Sequence, residues 1–177
     1  PTRLTSSRCT ACPLGELPNT SNCIRPDGGA ETDILFIGEA PGAQEDEENR
    51  PFVGATGRLL RETLDSLGIS DRFRMTFTNT VRCRPPDNRK PTPKEAKVCT
   101  ERHLLPEIAA SKARLLVTLG DTAMRSLLGF GGVLGKAGET FDYNGRPVLV
   151  LAHPVYVLRN GGYLPTWKQT LSSITKL

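Results

Sequence analysis

Short apolar runs along the chain predict a buried sheet. Three of them, each followed by a glycine or a polar residue, are typical of strands covered on both faces, and they occupy residues 33–37, 115–119 and 148–152. From Phe73 to Val81 the larger residues alternate with arginine and threonine. This period of two predicts a fourth strand.

Segments with helical spacing lie between these strands. Leucines at positions 60, 64 and 67 recur one turn apart, and Gly68 follows where a helix can end. A second helix is predicted to begin at Thr92–Glu95, which supplies an N-cap, a proline at the first helical position and a glutamate three residues after the cap. This helix runs toward Pro106.

Two more helices are predicted in the C-terminal half. Asp121 is placed to cap a short helix that continues to Leu128. Trp167, Leu171 and Ile174 mark a closing amphipathic helix. Because strands and helices alternate, the sequence predicts one α/β domain over residues 1–177 with a largely parallel sheet.

Polar residues stand at the carboxyl ends of three predicted strands. Glu39 follows the first strand closely, Asn79 lies near the end of the second, and His153 comes just after the last. In open parallel sheets ligands bind beyond these ends. We therefore expect the three side chains to converge on one site.

Composition narrows the class of protein. Of the 177 residues 37% are hydrophobic, which is too many for a disordered chain. No apolar run approaches the roughly 18 residues that a membrane-spanning helix needs. The first residues lack the apolar segment of a secretory signal, so we expect a cytoplasmic protein without a membrane partner.

Charge is concentrated in two segments. The formal net charge of +4 permits binding to a polyanion. An acidic run at residues 45–48 is predicted to be a solvated turn without a functional role. A basic segment, expected to contact phosphates, contains Arg82, Arg84, Arg89, Lys90, Lys94, Lys97 and Arg102.

Four of the five cysteines have the spacing of metal ligands. Cys9 and Cys12 form a C-x2-C pair within residues 1–30, a segment that has almost no periodicity, and Cys83 and Cys99 follow with 15 residues between them. Disulfides are rare in the cytosol, so this pattern predicts a metal centre. Thiolate ligands suit zinc or an iron–sulfur cluster, and the spacing does not separate the two.

Cys23 and His103 are two further side chains that could bind a metal. Cys23 could replace one of the four thiols, but we expect it to be a small buried residue. His103 lies one helical turn after Cys99 and is predicted to be a surface or core residue rather than a ligand. A bound metal would tie the N-terminal cysteine loop, residues 1–30, to the rest of the domain.

Four motifs follow one another in a fixed order along the chain. They are Gly38–Gly42, Arg50–Gly54, Thr78-Asn79 leading into Cys83–Pro86, and His153-Pro154. Together with the cysteine pattern they resemble the family 4 uracil-DNA glycosylases, and the resemblance covers nearly the whole chain.

The resemblance implies a fold, a cofactor and a reaction. The fold would be a three-layer α/β/α sandwich with a central, largely parallel sheet. The reaction would be hydrolysis of the N-glycosidic bond of uracil in DNA, releasing uracil and leaving an abasic site, by a monofunctional glycosylase of base excision repair. A 4Fe-4S cluster would be bound by Cys9, Cys12, Cys83 and Cys99.

The resemblance also implies roles for residues of the predicted site. Phe52 would stack on the base, Asn79 would recognise its edge, and His153 would face the departing ring. Glu39 would orient or deprotonate the attacking water, or contribute only backbone contacts. The uracil pocket would be lined by Gly38, Glu39 and Ala40.

DNA contacts are expected from two stretches. The stretch after His153 departs from the family pattern, because many members have serine or alanine where this chain has Val155. It should nevertheless supply the wedge that fills the space left by a flipped base. The candidates for DNA binding are Arg82, Arg84, Arg89, Lys90, Tyr156, Leu158 and Arg159.

An alternative function remains open at this point. A cluster-bearing nucleic-acid-binding protein could have the same fold without glycosylase activity, although the joint presence of Glu39, Asn79 and His153 disfavours it. We expect a monomer that acts on single- or double-stranded DNA, and recruitment by a sliding clamp is an open partner prediction.

Overall fold

Four parallel strands and one antiparallel edge strand form the central sheet. The computed structural model describes residues 9–17 and 23–176. The strands are β1 (Ile34–Gly38), β2 (Met75–Asn79), β3 (Leu115–Leu119), β4 (Thr140–Tyr143) and β5 (Arg146–Leu151). Their order across the sheet is β2-β1-β3-β5-β4, and β4 is the antiparallel one.

Helices connect these strands. The α-helices of the described residues are α1 (Pro13–Glu16), α2 (Ala43–Glu48), α3 (Ala55–Ser66), α4 (Pro93–Cys99), α5 (Leu105–Ala110), α6 (Asp121–Leu128), α7 (Val133–Lys136), α8 (Pro154–Arg159) and α9 (Leu164–Ser172). Within 9–17 and 23–176 no helix has the length and apolar character needed to cross a bilayer.

Alternating side chains of the central strands pack into two separate cores. Ile34 and Phe36 of β1 pack on one face of the sheet with Leu60 of α3 and Trp167 of α9. The intervening residues of β1 pack on the other face with side chains of α5 and α6, among them Ile108. The sheet is thus covered on both sides, and the predicted three-layer α/β/α fold is confirmed.

The second strand, β2, is shorter than the alternating sequence pattern predicts. The alternation continues to Val81, but pairing ends at Asn79. The backbone N–H groups of Thr80 and Val81 instead donate to the carbonyls of Gly38 and Glu39, each at 2.9 Å. These bonds join the loops that leave two neighbouring strands on the side where the strands end.

The helix that begins at Thr92 does not end at Pro106. Its predicted capping box is confirmed, since Thr92 Oγ1 accepts from the N–H of Glu95. The helical path then widens into a π-helical stretch, Thr100–Leu104, and continues as α5 through Pro106. Proline lacks an N–H group and its ring crowds the carbonyl four residues earlier, so the wider turn accommodates it. His103 lies within this turn.

The acidic run is not a solvated turn. It forms α2, in which Glu45 and Asp46 are buried. The Glu45 carboxylate accepts backbone N–H groups of Gly42 at 3.1 Å, Val53 at 3.0 Å and Gly54 at 2.7 Å. It therefore joins the loop after β1 to the loop that contains Phe52, which the charge pattern alone did not indicate.

Asp121 does not cap its own helix. The N-cap position of α6 is taken by Gly120, which has a φ of +92°. The Asp121 carboxylate instead accepts the N–H groups of Gly132 and Val133. It therefore fixes the loop that precedes α7 beside the carboxyl end of the central strand β3.

The edge strand β4 was not among the predicted strands. Asn144 and Gly145 connect it to β5, with φ values of +52° and +80°. An Asn-Gly pair in left-handed conformation is the usual two-residue hairpin turn, so this dipeptide was the signal for the missing strand. Because the hairpin is antiparallel, it ends the parallel part of the sheet at β5.

Candidate active site and metal centre

A cleft of about 650 Å³ opens at the carboxyl ends of the parallel strands. Each of the four strands contributes a lining residue at or just after its end: Glu39 for β1, Asn79 for β2, Gly120 for β3 and His153 for β5. The structure thus brings together the three polar residues singled out in the sequence. Ala40 and Phe52 line the same cleft.

Gly38 lies behind this lining rather than in it. A Cβ atom at this position would be 2.5 Å from Asn79 Oδ1 and 2.6 Å from Phe52 Cζ. Any side chain here would displace both residues. The glycine therefore determines how closely the amide and the ring can approach each other.

Phe52 is positioned by its backbone. Its φ is +57°, a left-handed conformation that is uncommon for residues other than glycine. Its carbonyl accepts the Nε–H of Arg61 at 3.0 Å, and its ring packs against Phe77 with 5.9 Å between the ring centroids. Strained backbone of this kind persists only where the surroundings impose it, as Arg61 and the neighbouring Glu45 do here.

Asn79 presents an amide without a protein partner. The residue is only 6% exposed at the end of β2, yet it lines the cleft. Among the residues described, none forms a hydrogen bond with the side-chain amide. A buried amide is costly to leave unpaired, so this group is suited to a ligand that both donates and accepts.

The surroundings of His153 determine the tautomer and the charge of its imidazole. Its Nδ1 accepts the backbone N–H of Val155 at 3.2 Å, so the proton of the neutral ring lies on Nε2. Burial lowers the pKa of His153, while the Glu39 carboxylate opposes that shift. Gly120 lies against the imidazole, where a Cβ atom would come within 3.0 Å of the histidine Cβ. The ring is therefore a fixed, neutral donor.

The carboxylate of Glu39 is oriented by a residue that the sequence analysis missed. The hydroxyl of Thr122, in the first turn of α6, donates to Glu39 Oε2 at 2.5 Å. The only sequence signal for Thr122 was its place three residues after a buried strand, beside the predicted cap Asp121. This bond connects the ends of β1 and β3 across the cleft.

Most of the predicted DNA-contacting residues lie at the mouth of the cleft. Arg89, Lys90, Tyr156 and Arg159 line it. Arg89 also forms an ion pair with Glu95 at 2.8 Å. Of the other candidates, Arg84 donates to Asn88 Oδ1 nearby, and the apolar side chain of Leu158 is 49% exposed.

Arg82 has to be removed from that group. It is 4% exposed, and its guanidinium forms an ion pair with Glu107. Its backbone N–H donates to Cys99 Sγ at 3.3 Å. Arg82 is thus part of the protein interior next to the cysteines, and its prediction as a phosphate contact was wrong because sequence does not reveal burial of a charge.

The cysteines converge on one small cavity. It lies between the segment that includes α1, the loop after β2 and the end of α4. Burial raises the pKa of the Cys99 thiol to about 12, and a hydrogen bond with Cys23 raises that of Cys83. Without a metal, the thiols of Cys83 and Cys99 therefore keep their protons. The side chains that line the cavity include Cys9, Cys12, Cys23, Cys83, Cys99 and His103.

Cys23 and His103 belong to this centre, contrary to expectation. Cys23 is only partly buried, and its thiol forms hydrogen bonds with Cys83 and Cys9. The bond with Cys83 contributes most to lowering the pKa of Cys23 to about 7. His103 Nε2 lies 3.3 Å from Cys9 Sγ and 3.8 Å from Cys23 Sγ. This group of soft ligands fits a metal.

A chain of hydrogen bonds connects the cysteine centre, the group of side chains around this cavity, to the cleft. Thr78 Oγ1 donates to Glu107 Oε2 at 3.1 Å, and the same carboxylate oxygen accepts the guanidinium of Arg82. Arg82 in turn contacts Cys99 through its backbone. Thr78 directly precedes Asn79, so the strand end that bears the free amide is fixed against the cysteine centre.

The fold agrees with comparison to known proteins. The sequence profile of the uracil DNA glycosylase superfamily matches residues 26–171. The chain belongs to this superfamily and, by its relatives, to the type-4 uracil-DNA glycosylases.

Three relatives show how extensive the similarity is. The type-4 uracil-DNA glycosylase of Thermotoga maritima is 40% identical over 156 residues, covering 86% of this chain and 79% of its own. That of Pyrobaculum aerophilum is 38% identical over 85% of this chain and 80% of its own. That of Archaeoglobus fulgidus is 36% identical, with 85% and 78% covered.

Proposed function

We propose that the protein removes uracil from DNA by hydrolysing the N-glycosidic bond, releasing the free base and leaving an abasic site. The observation that supports this most is the unpaired Asn79 amide in a cleft shared with Phe52 and a neutral His153. The relatives named as uracil-DNA glycosylases support the same reaction.

The target base has to leave the helix to enter the cleft. Flipping a base out of a duplex costs a few kcal/mol of stacking and pairing. Stacking on the Phe52 ring and contacts with the pocket walls offset that cost. Two exposed apolar side chains are suited to fill the vacated space: Leu158, which directly precedes the cleft residue Arg159, and Leu134, which lines the cleft itself.

Asn79 would select uracil over cytosine. The amide can donate to O4 and accept from N3–H of uracil. Cytosine has a donor at position 4 and an acceptor at N3, so both contacts would be mismatched. A site with buried polar groups rejects such a ligand strongly, because those groups would stay unpaired.

His153 would stabilise the departing base. As the bond between C1′ and N1 breaks, its electron pair stays with uracil and negative charge develops on the ring oxygens. The Nε2–H of His153 is a preoriented donor for O2. Such a donor contributes more in a partly water-excluded site than in water, since it needs no reorganisation during the reaction.

Glu39 would direct the attacking water. With Oε2 occupied by Thr122, the carboxylate has one oxygen left to accept a proton from water as that water adds to C1′. The sugar carries positive charge at this stage, which the carboxylate also stabilises. Thr122 acts as a positioning residue in this scheme.

The metal centre would have a structural role. We propose that Cys9, Cys12, Cys83 and Cys99 bind a 4Fe-4S cluster, which when present adds iron–thiolate bonds between the N-terminal loop and the body of a single domain of residues 1–177. Parts of that loop, residues 1–8 and 18–22, lie outside the described residues. Each of the four thiols lines one cavity, which supports the assignment.

Lys90 is the basic residue best suited to bind phosphate. It is exposed at the cleft mouth and forms no ion pair with any residue of the described segments. Replacing it with glutamine should weaken DNA binding and reduce the slope of log K against log salt by about one. Lys112→Gln is the matched control, because Lys112 pairs with Glu31 just before β3, away from the cleft.

The activity is tested with a labelled oligonucleotide that contains one uracil, and a thymine version as control. The protein is used in excess, and abasic sites are cleaved with alkali. Cleavage at uracil alone is the expected result. If the protein binds the oligonucleotide but leaves uracil intact, it is a nucleic-acid-binding protein of the same fold without glycosylase activity.

A further inference from the structure

Three side chains that can bind a metal, from three separate segments of the chain, meet at one edge of the cysteine centre. His103 Nε2 lies 3.3 Å from Cys9 Sγ and 3.8 Å from Cys23 Sγ, and the three atoms lie within 4.8 Å of one another. We propose that Cys9, Cys23 and His103 form a site for a single thiophilic divalent cation such as Zn²⁺. This site shares only Cys9 with the four thiols proposed to bind the cluster.

The distances fit one metal ion. Zinc bound tetrahedrally at about 2.3 Å from sulfur and 2.0–2.1 Å from nitrogen separates neighbouring sulfur and nitrogen ligands by roughly 3.6 Å. The two observed separations, 3.3 and 3.8 Å, lie on either side of that value. The thiolates of a cluster each bind a different iron atom, so they do not need to converge on a point.

Two features of the backbone fix Cys23 and His103 in place. The residue after Cys23, Ile24, is 2% exposed and donates its N–H to the carbonyl of Arg82 at 2.9 Å. His103 lies in the widened turn Thr100–Leu104, directly after the cluster ligand Cys99. Both side chains are thus presented to Cys9 by well-packed segments.

The chemistry of the three ligands selects the cation. Two sulfur atoms and an imidazole favour Zn²⁺ and similar borderline-soft ions, and disfavour Mg²⁺ and Ca²⁺, which prefer oxygen. All three residues are partly exposed, which leaves the fourth tetrahedral position to water. Because Cys9 is common to both ligand sets, the cation and the cluster compete for the chain.

Cobalt is the probe, because Co²⁺ replaces Zn²⁺ and its absorption reports thiolate ligands and tetrahedral geometry. The full chain, freed of metal under reducing and oxygen-free conditions, is titrated with Co²⁺ and then with competing Zn²⁺. Cys23→Ser and His103→Gln remove ligands of the cation only. Cys12→Ser and Cys99→Ser remove ligands of the cluster only, and serve as matched controls.

The wild type should bind one Co²⁺ with thiolate-to-cobalt absorption. Cys23→Ser and His103→Gln should each weaken Co²⁺ binding by at least about tenfold, the smallest loss seen even for outer-shell partners of metal ligands. The same two variants should still incorporate iron and sulfide. Cys12→Ser and Cys99→Ser should bind Co²⁺ as the wild type does but should not incorporate iron and sulfide. Wild type loaded with Zn²⁺ should take up less iron than metal-free wild type.

The opposite pattern would overturn the proposal. If Co²⁺ binding survives Cys23→Ser and His103→Gln but is lost in Cys12→Ser and Cys99→Ser, the chain has a single metal site made of the cluster ligands. Circular dichroism of each variant ensures that lost binding is not lost folding. None of these measurements depends on uracil excision, so the outcome is independent of the proposed activity.

Discussion

The cleft and the cysteine centre are built in opposite ways. The cleft residues stand at the ends of buried strands, where backbone hydrogen bonds and packing fix them before any ligand arrives. The cysteines come from the N-terminal segment around α1, the loop after β2 and the end of α4. Cys83 and Cys99 pack with Leu14, Val81 and Ala96 in a small cluster apart from the two cores of the sheet. One region is set by the sheet, and in the other the proposed cluster would add the bonds that join the segments.

Because the two regions are built differently, substitutions in them should affect different properties of the protein. A substitution in the cleft removes a group from an otherwise intact scaffold, so it should change the rate more than the stability. A substitution in the cysteine centre would remove a bond to the proposed cluster, so it should change the stability first. The following substitutions and measurements test this division.

Removing a cluster ligand should have the largest effect. Cys99→Ser is expected to lose most bound iron and to lower the melting temperature by roughly 10 °C or more, since metal-binding free energy contributes directly to folding. Iron analysis and thermal unfolding monitored by circular dichroism measure both quantities. An unchanged melting temperature would mean that the centre contributes little to the fold.

Removing the imidazole of the cleft should affect the rate instead. His153→Ala is expected to reduce the single-turnover excision rate about 10²–10³-fold, the usual effect of losing a donor to a developing anion. Its melting temperature should change by only a few degrees, because Nδ1 also caps α8.

A second variant separates these two roles of His153. Asparagine is a good N-cap residue but lacks a donor at the position of Nε2. His153→Asn should therefore restore the melting temperature and leave the rate low. Recovery of the rate in this variant would show that the imidazole acts only through the helix cap.

Removing the Thr122 hydroxyl should have a smaller effect, within the cleft alone. Thr122→Val leaves Glu39 without its partner and should reduce the single-turnover rate about tenfold, as expected for a hydrogen bond to a charged group. Uracil-DNA binding should be unchanged. Thr122→Ser should recover most of the rate, whereas equal losses in both variants would argue for a packing role.

The smallest expected effect is the change of folding stability with pH that His153 causes. Burial lowers the pKa of His153 in the folded state, so the ring is neutral at neutral pH and stays so below about 6.5, where an unfolded histidine takes up a proton. The unfolded chain then binds more protons, and folding stability should fall as pH decreases through this range. Denaturant unfolding at several pH values measures it, and the slope contributed by His153 should vanish in His153→Asn.

The sequence predicted the cleft better than the cysteine centre. The order of strands and helices, together with the rule that parallel strands bind ligands at their carboxyl ends, was enough to group Glu39, Asn79 and His153. These are local signals, because each residue closely follows or ends a strand whose apolar pattern is clear. The four-cysteine spacing likewise predicted a metal centre.

What the sequence could not predict depends on contacts between distant segments. Glu45 looks like part of a solvated acidic run until the loop containing Phe52 folds over it. Arg82 looks like one of many basic residues, but Glu107 lies 25 residues away to pair with it. Cys23 meets His103 across 80 residues of sequence. No periodicity or motif encodes such pairings.

The edge strand β4 has a consequence for the behaviour of the protein in crowded solution. Without it, β5 would expose a row of unpaired backbone groups, a template for strand-to-strand aggregation. The four residues of β4 cover that row with a short strand whose alternate residues are exposed, including Asp142. At the opposite edge Asp27 pairs with Phe77 of β2. Both edges are thus poor templates for another chain, while the cleft at the end of the sheet stays open.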